Sequence, residues 1–243
     1  MNAKELIKKR NITLIIFLFV VAFFIGILVM ISKLFPDYRD MSLWLLIALV
    51  VMIVVLLWFR RTLYSYNNLA RIAQTILKQG EAVPYTKNPV KDDIYLKNAG
   101  YVLFSQNNDF KLLYSLDRDE SYKSKKVYLL YLIIIIKNSS LDFYDKSIHE
   151  EIYKLESGFD KKKKPTRYLI SAFKEFDEID ETALRSIGEV VNYKQYRQHF
   201  TQINVGLNIN EHKAYFLYSK EYNPSRNYSQ TIEFIQKIIQ KKV

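Results

Sequence analysis

Two long apolar blocks dominate the start of the chain, and everything after them changes character. Residues 12–31 and 41–59 contain no ionisable side chain, and the connector between them carries Lys33, Asp37, Arg39 and Asp40. At about 1.5 Å of rise per residue, each block reaches across a hydrocarbon core about 30 Å thick. The pattern therefore predicts two transmembrane helices. A cleaved signal peptide is the alternative for the first block, but its apolar core is longer than such peptides carry and no small-residue cleavage site precedes residues 33–36. Gly26 is the one glycine in either block, so no GxxxG pairing motif can be written there.

Past residue 61 the periods shorten and mix. Leu69, Ile72, Ala73 and Ile76 recur at helical spacing, and Gly80 supplies a stop. The second span is thus expected to continue as a stalk, its stripe facing either the soluble domain or a second copy of itself. Residues 81–98, with Pro84 and Pro89, read as a linker. Residues 101–105 and 110–116 read as a hairpin joined by Gln106-Asn107-Asn108-Asp109, and the mixed charges of 117–126 read as solvated. Residues 127–136 are unbroken apolar and rich in β-branched side chains. That run is about half a membrane span, so it predicts a central strand buried on both faces, with a re-entrant segment as the alternative.

Ser147-Ile148-His149-Glu150 fits a capping box and opens a helix with Ile148, Ile152, Leu155 and Phe159 inward, ending near Gly158. Tyr168, Leu169, Ala172, Phe173 and Phe176 fall in helical register, with a slight preference over the strand that the same stretch tolerates. A further helix starts near Asp180 and carries Leu184, Ile187, Val190 and Val191 on one face. Ile203, Val205, Leu207 and Ile209 alternate with Gln202, Asn204, Gly206 and Asn208, which predicts a strand with one face buried, turning through 210–213 into 214–219. A terminal amphipathic helix begins near Ser229 with Ile232, Ile235 and Ile239 inward and Lys237, Lys241 and Lys242 near its negative end. Strands and helices mix without regular βαβ alternation, so the class is α+β. The expected domains are a membrane hairpin over 1–61, a helical stalk and linker over 62–98, and a cytoplasmic α+β domain over 99–243.

Charge changes the picture by fixing a side. Lys4, Lys8, Lys9 and Arg10 precede the first block against a single Glu5, and Arg60 and Arg61 follow the second, with Arg71 and Lys78 further on. By the positive-inside rule both termini are cytoplasmic, at a cell membrane, and the connector lies outside. Trp44 and Trp58, near the ends of the second block, join Arg60 and Arg61 as interface anchors. The net charge of +11 is accounted for by an anionic leaflet, which favours nearby Lys and Arg. The absence of cysteine excludes disulfides, thiolate nucleophiles and thiolate metal sites.

Candidate chemistry is thin. With glycines only at 26, 80, 100, 158, 188 and 206, neither GxxxxGK[ST] nor GxGxxG nor a GxSxG elbow can be written, and no cofactor signature stands out. Glu175, Asp177, Glu178, Asp180 and Glu181 could hold a hard cation, yet they precede a helix, where carboxylates cap and meet the dipole. Asp142, Asp145, His149, Glu150 and Glu151 form a second polar group without distinctive spacing. Of the three histidines, His149, His199 and His212, the first and last read as surface residues. Lys161, Lys162, Lys163, Lys164 and Arg167, with Lys123, Lys125 and Lys126 in support, make the strongest charged feature. A solvated loop, contact with anionic lipid headgroups, and nucleic-acid binding compete for it, and tethering to a membrane favours lipid over nucleic acid. The expected role is a membrane-anchored binding, scaffold or regulatory module, an accessory subunit of a bacterial membrane assembly. Its partners would be membrane lipids, a protein of that assembly, and a second copy through the stalk. A membrane-tethered metal-dependent hydrolase or nuclease and a membrane-disrupting effector with a sensing domain are the alternatives.

Overall fold

The computed structural model describes residues 3–35, 38–119, 127–160, 162–195 and 198–240. The chain divides into two compact units, Met1–Leu77 and Lys78–Val243.

The first unit is a helical hairpin of α1 (Ala3–Leu34) and α2 (Tyr38–Leu77). Both helices are long and apolar enough to cross a membrane, and their apolar windows are almost wholly unburied. Phe19, for example, is 72% exposed, so these side chains do not form the interior of a soluble core. The helix of α2 runs on through the stalk, as the periodicity of 69–76 predicts. The stripe is rotated, however. Ala70, Ala73 and Thr75 are the buried positions, whereas Leu69 and Ile76 are exposed.

The second unit is built on one mixed sheet. β2 (Val102–Gln106), β3 (Phe110–Arg118) and β4 (Tyr128–Ile136) form an antiparallel meander. β4 then pairs in parallel with β5 (Arg167–Phe176), and β5 with β7 (Gln198–Asn208). The far side of β7 is shared by β6 (Val190–Gln195) and β8 (Lys213–Tyr215), and β1 (Val83–Pro84) closes on β8. The parallel steps are bridged by α4 (Lys146–Ser157) and α5 (Glu181–Gly188), and α6 (Arg226–Ile239) ends the described chain.

Helices cover both faces of the sheet. On one, Leu112, Leu130, Leu132, Ile134, Ile170 and Ala172 meet Ile148, Ile152 and Leu155 of α4 and Ala183 and Ile187 of α5. On the other, Leu113, Ile133, Ile135, Phe173, Ile203 and Val205 meet Phe234, Ile235, Ile238 and Ile239 of α6. β4 lies between β3 and β5 and is buried on both faces, as its unbroken apolar run predicts. Each of Ile133, Ile134, Ile135 and Ile136 is essentially inaccessible, and full burial of such a side chain contributes about 1.5–3 kcal/mol.

Five expectations need correction. Residues 168–176 are strand β5, not helix. A strand with parallel neighbours on both sides and helices on both faces is apolar throughout, and the spacing of its largest residues imitates a helical stripe. Residues 81–98 are no free linker. Val83 pairs with Ala214, α3 (Ile94–Asn98) buries Leu96, and Thr86 and Lys87 donate to the Ile239 carbonyl at 2.9 and 3.0 Å. The cap of α4 is Asp145, whose Oδ1 accepts from the Ser147 amide at 2.8 Å, so the Ser147–Glu150 box is not formed. α5 ends at Gly188, leaving Leu184 exposed and sending Val190 and Val191 into β6. Ser225 caps α6 by accepting from the Tyr228 amide at 3.2 Å, so the helix opens a few residues ahead of Ser229.

The alternation along β7 is real, but its polar face is not solvated. Gln202, Asn204 and Asn208 are buried beside Ile203, Val205 and Leu207. The Asn204 amide donates to the Ser186 and Glu189 carbonyls at 2.9 and 3.0 Å, satisfying the C-terminal end of α5. Gly206 leaves room for Ile187. A Cβ there would stand 2.3 Å from the Ile187 Cδ1.

Candidate functional site

The charged residues singled out by their spacing separate once folded. Lys162, Lys163 and Lys164 sit on an exposed turn after α4, where Lys164 pairs with Glu156 at 3.5 Å. Lys161 lies outside the described residues, as do Lys123, Lys125 and Lys126. Arg167 leaves the group altogether. Its side chain opens β5 and is 6% exposed, so it is buried and not displayed on the surface with the lysines. Its Nη1 donates to Asp119 at the end of β3, its Nε donates to the Asn227 Oδ1 at 2.8 Å, and its Nη2 donates to Asn227 and to Gln230 in the first turns of α6. Burying a guanidinium is tolerable only with a carboxylate and further acceptors around it, and β3 and α6 supply both. The cluster clasps three elements at one end of the sheet.

Beside that clasp lies a hollow of about 560 Å³ lined by Asp117, Arg118, Asp119, Leu129, Tyr131, Arg226 and Gln230. Burial, and then the Asp117 carboxylate, pushes the Tyr131 phenol above its ordinary value, with Arg167 pulling the other way. The charge of Asp119 is matched by Arg167. The arrangement is suited to holding structure.

The acidic groups are similarly committed. Asp180 caps α5, its Oδ1 accepting from the Ala183 amide at 2.7 Å. Glu175 accepts from the Asn88 amide at 2.6 Å and faces Lys91 at 3.9 Å. Asp142 accepts from the Tyr144 amide, Glu150 faces Lys146, and Glu151 accepts from Lys154. Among the described residues no group of three or more His, Cys, Asp or Glu side chains could hold a metal ion. Among the described residues these carboxylates do not converge. His149 and His212 are exposed, with His212 in the left-handed region at φ 52°, whereas His199 is half-buried at the start of β7. In the hairpin, Trp44, Trp58, Arg60 and Arg61 are all exposed, with Trp44 stacked on Phe35 at 6.1 Å.

What the fold does present is an open sheet edge. Among the described residues β2 ends the sheet and pairs only with β3. Gly100, at φ 92°, turns the chain from α3 into it. Val102, Leu103 and Phe104 are 53%, 37% and 38% exposed. Val102 stands opposite Tyr114 and Leu103 opposite Leu113, which places them on opposite faces of the sheet. Phe104 sits at a register shift between Leu103 and Ser105 and meets Tyr114 edge-on at 6.4 Å, and Tyr114 in turn meets Phe159 at 6.0 Å. Exposed edges are ordinarily blunted by charge or proline. The opposite end of the sheet has Pro84 in β1, but β2 reads Val-Leu-Phe-Ser-Gln with neither. The sequence marks 101–105 as a strand without marking it as an edge. The signal available was the absence of any charge from a short strand with apolar residues at successive positions.

Comparison with protein-family models, curated proteins and solved structures finds no match to this chain. The reading of the site rests on its own geometry.

Proposed function

We propose that the protein is a membrane-anchored binding module. In this reading α1 and α2 span a cell membrane, Lys4, Lys8, Lys9, Arg10, Arg60 and Arg61 hold both termini on the cytoplasmic side, and the α+β unit displays β2 to a protein partner in a membrane assembly. The carrying observation is the β2 edge, which has no second strand partner among the described residues, exposes Val102, Leu103 and Phe104, and carries no charged residue of its own. An extended segment of a partner with alternating apolar residues would add to it, main-chain hydrogen bonds supplying affinity and the apolar side chains supplying register. Exposed Leu69 and Ile76 on the stalk are the positions a second copy would cover.

The test is a photoreactive phenylalanine analogue at Leu103 in the full-length chain in its native membrane. A discrete adduct, lost when Phe104→Lys is added and absent when the analogue replaces Lys163, supports the reading. No adduct at Leu103 above the Lys163 control overturns it, and an adduct of twice the chain mass replaces the partner with a second copy.

A further inference from the structure

The helical hairpin encloses a cleft of about 680 Å³ between α1 and α2, and its lining is graded from apolar to cationic. Leu14 and Phe17 of α1 face Ile53 and Leu57 of α2 along its length. Arg10 and Arg60 stand at the end where the apolar blocks stop, with Asn11, Tyr64 and Asn67 beside them. Among the described residues no acidic side chain lines it. The Asn11 Oδ1 accepts from the Arg10 Nε at 3.0 Å and from its Nη2 at 2.8 Å, which fixes the guanidinium plane. The Arg60 side chain has no ion pair or hydrogen bond among the described residues.

We infer that this cleft binds one anionic glycerophospholipid, its phosphate held by Arg10 and Arg60 and an acyl chain lying against Leu14, Phe17, Ile53 and Leu57. The inference rests on the reading of α1 and α2 as membrane-spanning. Charge complementarity selects the occupant. Two guanidiniums are matched to phosphate oxygens in geometry as well as sign. A zwitterionic headgroup would add an ammonium that finds no carboxylate in the lining. A free phosphate would leave the apolar length of the cleft unfilled, and at the level where the blocks end a headgroup is already present at high local concentration. A basic mouth over an apolar cleft between spanning helices is the general form of an anionic-lipid site.

The experiment is native mass spectrometry of the full-length chain in detergent micelles doped with equal amounts of dioleoyl phosphatidylglycerol and dioleoyl phosphatidylcholine. One phosphatidylglycerol per chain is expected to be retained about thirtyfold over phosphatidylcholine, the ratio that about 1 kcal/mol for each of the two cations near a headgroup gives. Combined Arg10→Gln and Arg60→Gln should bring retention to the phosphatidylcholine level. Leu57→Trp, which fills the cleft and keeps the charge, should lower it as well. Combined Lys8→Gln and Lys9→Gln, an equal loss of charge away from the lining, should leave it unchanged. Equal loss with the lysine pair, or full displacement of the lipid by inorganic phosphate, overturns the site. Helical circular dichroism of each variant guards against misfolding. Carbonate-resistant membrane association separates the two claims: a chain that stays in the membrane without lipid selectivity sinks this site alone.

Discussion

Arg167, on the first residue of β5, pairs with Asp119, just past the end of β3, and both side chains are almost fully buried. With Asn227 and Gln230 of α6 accepting from its Nε and Nη2, one side chain ties three elements that are remote in sequence. Removing one partner strands a buried charge, which costs about 3–5 kcal/mol. Arg167→Met and Asp119→Asn should each destabilise the α+β unit on that scale, measured by urea unfolding of the full chain in mild detergent. The double variant should cost less than the sum of the two, and a strictly additive pair would show that the clasp is not coupled.

Gly206 seats α5 on the sheet by leaving space for Ile187. Gly206→Ala forces the buried Ile187 Cδ1 to move, and overpacking of this kind costs about 1–3 kcal/mol. Ile187→Val removes the clashing methyl and costs about 0.5–1.5 kcal/mol alone. In the Gly206→Ala background it should instead recover stability, and failure to do so would place the strain elsewhere.

His199 supplies a pH dependence. Burial, and then the charges of Lys194 and Arg167, holds its imidazole below the ordinary value near 6.5. The unfolded chain therefore binds the proton more readily than the folded one. Stability from this residue is complete above about pH 6.5 and is lost as pH falls from there through the folded value. His199→Gln should flatten that part of the stability profile, and an unchanged slope between pH 7 and 5 would assign it to other groups.

On the β2 edge, Val102→Lys and Phe104→Lys replace exposed side chains and should shift stability by no more than about 0.5 kcal/mol. Leu113→Ala, one strand inward and fully buried, should cost about 2–5 kcal/mol. A large loss from the lysine variants would mean that the edge is covered.

The legible parts of this fold were those whose sequence signal does not depend on distant neighbours. β4 declares itself by an apolar run too short for a membrane, and the two hairpin helices by runs long enough for one. β5 was misread because burial on both faces erases period two. The polar face of β7 was misread because Gln202 and Asn204 look solvent-facing until Ser186, Glu189 and Phe143 are seen to supply their carbonyl partners. Arg167 was grouped with its lysine neighbours because its carboxylate lies beyond a strand and a helix. The edge position of β2 is a property of strand order, which no local pattern carries.

The account depends most directly on which side of a membrane the α+β unit occupies, and a chain without cysteine allows that to be read cleanly. Full-length protein carrying Asp37→Cys or Lys163→Cys would be treated with a membrane-impermeant maleimide on intact cells and again after permeabilisation. The account predicts labelling of the Asp37→Cys chain in intact cells and of the Lys163→Cys chain only after permeabilisation. Labelling of the Lys163→Cys chain in intact cells, or recovery of either chain from the aqueous fraction without detergent, would contradict it.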